Sequence, residues 1–333
     1  MTAYQLIWFI LICVLFVGFF VLEGFDFGVA MASGIIAKTD EEKGDMLEII
    51  GPHWVVNETW LVTAGGALFA SFPMWYASLF SGYYVILTLV LFGLIIRGVS
   101  FEFSEHAETH KARNIWYNAF TIGSFLAIFL LCMMFFSFVQ GIPIDAQGNA
   151  HVGFFDVVNW LSVVGGVAGV LLSLIHGLNY TVLTTTGVLH DRALALNKKL
   201  QYVILVGEVV FALLLLFQTD FFDKKPFLTI LMLVLIVAAT ELSAFGIFRN
   251  RPGWAIVGSG LSLAFVVMLI FIGIFPRVMI ATNPAHSILI KDASSSPYVL
   301  QLMLIVACIL LPIVLIYFIW SYMIFRKDKV KTN

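Results

Sequence analysis

The chain has 333 residues, 61% of them hydrophobic and only 11% charged, and its mean hydropathy is +1.01. A soluble domain carries about 25% charged residues, and a sphere of this size could not bury so much apolar surface, so a water-soluble enzyme is excluded. Lys+Arg 18 against Asp+Glu 20 leaves a formal net charge of -2, without the basic footprint of a nucleic-acid binder. A polytopic membrane protein remains.

A hydrocarbon core of roughly 30 Å needs about 20 apolar residues per helix. On that scale the sequence predicts nine spans, near 4–33, 52–72, 79–100, 116–139, 157–183, 200–218, 226–245, 254–275 and 301–324. An odd number puts the two termini on opposite sides. No lysine or arginine precedes Lys38, so the first span lacks the charged flank of a cleavable signal and is expected to stay. Cys13, Cys132 and Cys308 all lie in apolar runs, with no CxxC or Cys/His cluster, so neither a disulfide framework nor a metal site is expected.

Positive charge predicts the orientation. With the N-terminus outside, the inner segments hold Lys38, Lys43, Lys111, Arg113, Arg192, Lys198, Lys199, Arg249, Arg251, Arg326, Lys327, Lys329 and Lys331. The outer segments hold only Lys224, Lys225, Arg277 and Lys291. The C-terminus is therefore expected in the cytoplasm. Two outer connections are long. Residues 140–156 are turn-rich, with Gly141, Pro143, Gly148 and Gly153; residues 276–300 end in Ser294-Ser295-Ser296-Pro297, a serine cap followed by proline at the first helical position. No internal repeat or low-complexity tract is visible.

Ionisable side chains at mid-membrane cost about 2.5–3.5 kcal/mol each on insertion scales, so each needs a reason. Glu23 and Asp26 are spaced i,i+3 and share a face of the first span. Either they are wet at the interface, or they form a carboxylate pair in a polar interior that can pass protons. In the second span His53 shares a face with Asn57, and Trp54 with Glu58. Downstream, Thr63, Ala67 and Ser71, and Gly66 and Ala70, form small-residue stripes suited to close helix approach. Arg97 either snorkels to the interface or neutralises Asp26 or Glu58. Glu208, Glu241 and His176 are isolated. For His176 and for His53 a satisfied hydrogen bond and a haem-ligand role are the two alternatives, and Gly165 and Gly169 in the span of His176 point to helix contact.

One stretch is specific. Gly24-Phe25-Asp26-Phe27-Gly28, Gly51-Pro52-His53-Trp54, Asn57, Trp60 through Ala70, Phe80-Ser81-Gly82-Tyr83-Tyr84 and Arg97-Gly98-Val99-Ser100-Phe101-Glu102-Phe103 closely resemble subunit II of the cytochrome bd quinol oxidases. Weaker echoes, such as Gly177-Leu178-Asn179-Tyr180 and Ala293 to Tyr298, continue down the chain.

The resemblance implies an all-α polytopic membrane fold of two four-helix bundles (1–139 and 157–275) plus one peripheral helix (301–324). It implies an obligate heterodimer with a haem-bearing subunit I, which would hold haem b and haem d, so that this chain itself binds no cofactor. The complex would oxidise quinol and reduce oxygen to water in a bacterial cell membrane, taking protons from the cytoplasm. A small single-helix subunit, a structural quinone and lipid are further partners it allows. By matching position, Asp26 and Glu102 are carried over as proton-path residues, with Glu23, His53, Trp54, Asn57 and Arg97 as a supporting polar site. Many members carry a carboxylate directly after the tryptophan, where Val55 stands here; Glu58, three residues on, is the substitute. Two rival readings are an ion-coupled secondary transporter and a purely structural subunit. A transporter usually shows paired interrupted helices in equivalent halves, whereas polar density here is confined to the first third.

Overall fold

The amino end is built to start a helix: the Thr2 side chain accepts from the Gln5 amide while the Gln5 side chain accepts from the Thr2 amide at 2.8 Å. Helix α1, Ala3–Ile36, follows for 34 residues, or about 51 Å at 1.5 Å per residue, so it projects well beyond a bilayer core. The computed structural model describes residues 1–324 and the backbone of 330–332. A second capping box, Thr39 with Glu42, opens α2, Asp40–Glu48, whose first turn is acidic. The chain then re-enters as α3, Trp54–Ser71, and turns at Phe72 into α4, Pro73–Gly82, with proline at its first position. Next come α5, Tyr84–Glu105, and α6, His110–Gln140.

A loop with Gly141 at φ 110° and Gly148 at φ 85° leads to the one-turn α7, Phe154–Val157, and then to α8, Trp160–Thr184, capped by Asn159. Strand β1, Thr185–Gly187, connects to α9, Val188–Gln218. After α10, Phe221–Lys224, the last two bundle helices are α11, Pro226–Phe248, and α12, Pro252–Ile274. The outer loop holds β2, Arg277–Met279, antiparallel to β3, Ile288–Leu289, followed by α13, Ile290–Ala293. Helix α14, Pro297–Ile324, completes the transmembrane set, and β4, Val330–Thr332, pairs parallel to β1. The expected serine cap is present, with the Ser296 hydroxyl accepting from the Val299 amide.

Among the described residues, eight helices are long and apolar enough to span a membrane. The ninth expected span is α3, which misses that mark because its first two turns carry Asn57 and Glu58. Its ends nevertheless sit at opposite ends of α14: the Ser295 amide donates to Ser71 O at 2.9 Å, and His53 stacks on Tyr322. Several expected boundaries move, three of them for reasons plain in the structure. The third span starts at Tyr84 rather than 79, because Pro73 opens a separate helix that stops at Gly82. The fourth and sixth reach back to His110 and Val188, their polar first turns extending beyond the apolar run that hydropathy detects.

Helix α1 touches α3, α6, α8, α12 and α14; α5 lies against α6; and α8, α9, α11 and α12 close a ring. Glycine permits the tightest crossings. A Cβ on Gly28 would lie 1.9 Å from Ser173 O, where α1 meets α8, and one on Gly123 would lie 2.7 Å from Gly93 O, where α6 meets α5. Gly165 and Gly169 are filled by Phe136 and Cys132 of α6, as expected of a contact stripe. The α3 stripe differs: Gly65 and Gly66 face open space. On the amino-terminal face the two long loops form one cap, with the Ile142 amide donating to Ile280 O at 3.0 Å and the Thr282 amide to Ile142 O at 2.9 Å. Beneath it Arg277 grips Asp220 through two nitrogens at 2.6 and 3.0 Å. On the opposite face Arg192 of α9 joins Glu42 of α2 at 2.8 Å and Ile36 O at 3.0 Å.

Candidate functional site

Glycine and phenylalanine surround Glu23 and Asp26 in α1, and both acids are fully buried. They are not wet at an interface. Their i,i+3 spacing turns them to a pocket walled by α3, α5 and α14. Arg97 of α5, 1% exposed, forms an ion pair with Glu23 and stands 4.0 Å from Glu58 Oε2. Glu23 is thus its first partner, ahead of the two acids the sequence suggested. Three rings enclose the guanidinium: Phe27 at 4.8 Å, and Trp54 and Phe120 at 5.9 Å each. Cation–π attraction replaces part of the lost hydration, and the charge does not snorkel.

Asp26 is held from α3. Asn57 Nδ2 donates to Asp26 Oδ2 at 2.7 Å and to Leu22 O at 3.3 Å. The Tyr322 hydroxyl donates to Asn57 Oδ1 at 2.6 Å, and the His53 ring lies parallel on Tyr322 with centroids 4.0 Å apart. The two face assignments in α3 are therefore realised: His53 and Asn57 meet Tyr322, while Trp54 and Glu58 meet Arg97. Asp26 Oδ1, His53 Nδ1 and Arg97 Nε and Nη2 are buried without hydrogen-bond partners among the described residues. Three carboxylates against one guanidinium leave the cluster acid-rich, and Glu58, 24% exposed, is its outlet to the surface.

The other expected site residue stands apart. Glu102 is exposed, five residues beyond Arg97 on α5 and on a different side of that helix. Val55 is 59% exposed. Glu241 is exposed. Glu208 borders an apolar cavity of about 100 Å³ lined by Phe136, Phe211 and Leu263, among others.

Sequence reasoning missed two elements of the polar interior. Tyr322 sat in an apolar tail, its only mark being a phenol near the end of a span. The second is a buried chain in the α8–α12 ring: Gln201 donates to Asn197 at 2.9 Å, Asn197 to Asn179 at 2.7 Å, and Asn179 to Ser243, Ala255 O and Ser259 at 2.8–3.0 Å. The i,i+4 spacing of Asn197 and Gln201 was its available signal. His176 ends this chain, with Nδ1 2.7 Å from Ser259 Oγ and Nε2 3.0 Å from Val21 O.

The chain matches the family model described as cytochrome bd terminal oxidase subunit II over residues 4–325. It belongs to that family. It is therefore a subunit of an oxidoreductase complex of the respiratory membrane. It is 42% identical over 328 residues to the cytochrome bd ubiquinol oxidase subunit 2 of Bacillus subtilis (strain 168), covering 98% of this chain and 97% of that one. It is 32% identical to the cytochrome bd-I ubiquinol oxidase subunit 2 of Escherichia coli (strain K12), covering 96% and 93%. In fold it resembles a chain of the bd oxidase structure from Geobacillus thermodenitrificans, with a TM-score of 0.75 at 17% identity, covering 98% of this chain and all of that one. The transporter reading has no counterpart among these relatives.

Haem is the cofactor of this oxidase family. The described side chains of this subunit II do not fit it. Both nitrogens of His176 are engaged; His53, whose Nδ1 is buried and unpartnered among the described residues, lies flat against Tyr322 and does not line the apolar cavity, which is lined by neither histidine nor methionine. His106, His110, His151, His190 and His286 stand at helix ends and in loops. No step through a haem is derived for this chain.

Proposed function

We propose that this subunit II stabilises a haem-bearing subunit I and carries protons from the cytoplasm toward it through Asp26 and Glu58 while quinol is oxidised and oxygen reduced to water. One observation carries the reading. Asp26 and Glu23 are sealed inside the chain beside Arg97, yet Glu58 opens the same cluster onto the outward face of α3. A charge on that face is tolerable only against a protein partner or water, because lipid offers it no partner. The outward small-residue stripe of Thr59, Thr63 and Gly66 admits a close partner helix.

The positive-inside bias supports the N-terminus outside and the C-terminus in the cytoplasm; its tail cations Arg326, Lys327 and Lys329, and the Lys331 side chain, lie outside the described residues. In that orientation a depression of about 510 Å³ lined by Glu48, Gly51, Pro52, Phe101 and Glu105 opens on the cytoplasmic side, one residue from His53. Its acidic wall attracts protons, and Glu102 stands on the same end of α5. The division proposed for the chain is two four-helix bundles at 1–139 and 157–275, with 301–324 outside them; the ring of α8, α9, α11 and α12 supports the second, while α1 and α6 also pack on α8. Quinone or lipid would be further occupants of the assembled complex, as would a small single-helix subunit.

The test is Asp26→Asn and Glu58→Gln in complexes that retain all their haems. Oxygen consumption is expected to fall at least tenfold; wild-type turnover in the double variant overturns the proton role and leaves a structural one. The expectation that this chain binds no haem is checked by expressing it alone, where stoichiometric haem overturns it.

A further inference from the structure

We propose that Tyr322 of α14 is the positioning residue of the acid cluster, locking the Asn57 amide so that Asp26 exchanges its proton at Oδ1. The inference rests on the proton-carrying role of Asp26 and adds the group that sets its geometry.

An amide side chain has two ends of opposite character: its oxygen only accepts and its nitrogen only donates. Asn57 lies between a hydroxyl and a carboxyl, so its rotation decides what the carboxyl must do. Tyr322 donates to Asn57 Oδ1 at 2.6 Å, which forces Nδ2 toward Asp26 Oδ2 at 2.7 Å and Leu22 O at 3.3 Å. Oδ2 is thereby an acceptor in both protonation states. The proton is thereby directed to Oδ1, which no fixed donor of the described residues engages, on a carboxyl that also lies within hydrogen-bond reach of Glu23. It arrives at and leaves from one atom, and Asn57 never changes roles.

Tyr322 is itself fixed. His53 lies flat against it, 2° from parallel, so the phenol cannot swing away without breaking the stack. Three helices thus define one bond: α14 supplies the hydroxyl, α3 the amide and α1 the acid. Without the hydroxyl only the longer bond to Leu22 O, at 3.3 Å, opposes inversion of the amide, which would present Oδ1 to Asp26 and accept from a protonated carboxyl. Hydrogen bonding to the neutral form makes an acid hold its proton more tightly. The other charged and titratable groups that act on this acid are Glu23 on its own helix, Glu58 on α3, Arg97 on α5 and Tyr180 on α8, with His53 on α3 reaching it only through Tyr322; the substitution of Tyr322 alters the charge of none of them.

The experiment is Tyr322→Phe in the complete oxidase, with haem content verified, following oxygen consumption against pH. The alkaline limb, where the proton carrier empties, is expected to move up by about one pH unit, the scale of one hydrogen bond to a charged group. The carboxyl stretching band assigned with Asp26→Asn should shift in the infrared difference spectrum of the same variant. In an Asp26→Asn background Tyr322→Phe should move neither. A full-rate Asp26→Asn enzyme sinks the underlying proton role; a slowed Asp26→Asn enzyme with an unmoved limb in Tyr322→Phe sinks the positioning role alone. Should Tyr322→Phe fail to assemble, 3-fluorotyrosine at 322 keeps the shape and sharpens the donor, and its limb should move to lower pH. An unmoved limb there also overturns the proposal.

Discussion

Arg97 shows how a membrane interior accepts a full charge. Its guanidinium is planar, ion-paired with Glu23 and enclosed by Phe27, Trp54 and Phe120. Removing one member of a buried pair costs about 3–5 kcal/mol, because the survivor is left without compensation. Arg97→Gln is therefore expected to lower both the yield of assembled complex and its thermal midpoint. Arg97→Lys should rescue little, since an ammonium lacks the flat face that stacks on rings. Unchanged assembly and melting in Arg97→Gln would show that the pair is not structural. The sequence exposed the members of this cluster but not their pairing. Arg97 is the one basic residue well inside a span, and the α3 spacings placed Trp54 and Glu58 on one face. Which acid meets it depends on how α1 is rotated, and the Gly28–Gly177 crossing between α1 and α8 settles that from the far side of the helix.

Elements are joined by polar clasps that hydropathy cannot see. In the α8–α12 ring Asn179 serves four partners at once, and its replacement by leucine would strand Asn197 and remove a donor to Ser243 and Ser259. Each buried polar group left unmade costs about 1–3 kcal/mol. Asn179→Leu should lower the thermal midpoint of the complex while the infrared band of Asp26 stays in place, since the two clusters share no hydrogen bond among the described residues. At the opposite face burial pushes the Glu42 carboxyl up, but the hydrogen bonds from the Lys38 amide, Arg192 and the Thr39 amide together hold it below its ordinary value of 4.5. An acid lowered in this way stabilises the junction at neutral pH, and the contribution is lost only as pH falls through its folded value. Limited proteolysis of the 37–53 segment should accelerate below pH 4.5, and Glu42→Gln should be cut readily at neutral pH. Equal cleavage at pH 7 in both proteins would remove the clasp from the account. Apolar run length predicted nine spans, and eight of the described helices are long and apolar enough to cross a membrane, because burial in lipid demands it. It could not place the α4–α5 break or the polar start of α9, since caps and prolines, not hydropathy, set those ends.

At the scale of the whole molecule, the question is which surface faces lipid and which faces protein. The apolar stretch of α14 is unburied throughout, and Ile309, Ile316 and Trp320 are as acceptable to lipid as to a partner. Composition alone therefore cannot mark an interface here. The outward face of α3 is different in kind: it carries Glu58, 24% exposed at membrane depth, above Gly65 and Gly66, whose backbone has nothing within 4 Å of a built Cβ. Small residues are useful in a membrane where another backbone approaches, and no described residue of this chain comes within 4 Å of a Cβ placed on Gly65 or Gly66. Gly66→Leu is consequently informative. The new side chain meets open space within the subunit, so this chain should insert and reach its normal level in the membrane. It should fail to form the oxidase, because a partner helix seated on the stripe would meet three added carbons beyond Cβ. Membrane level of the subunit and haem content of the complex are measured together. Normal level with at least a several-fold loss of haem-bearing complex locates the partner on α3. Full assembly of Gly66→Leu would show that lipid covers this face, and Glu58 would then have to be satisfied by water from the cytoplasmic depression.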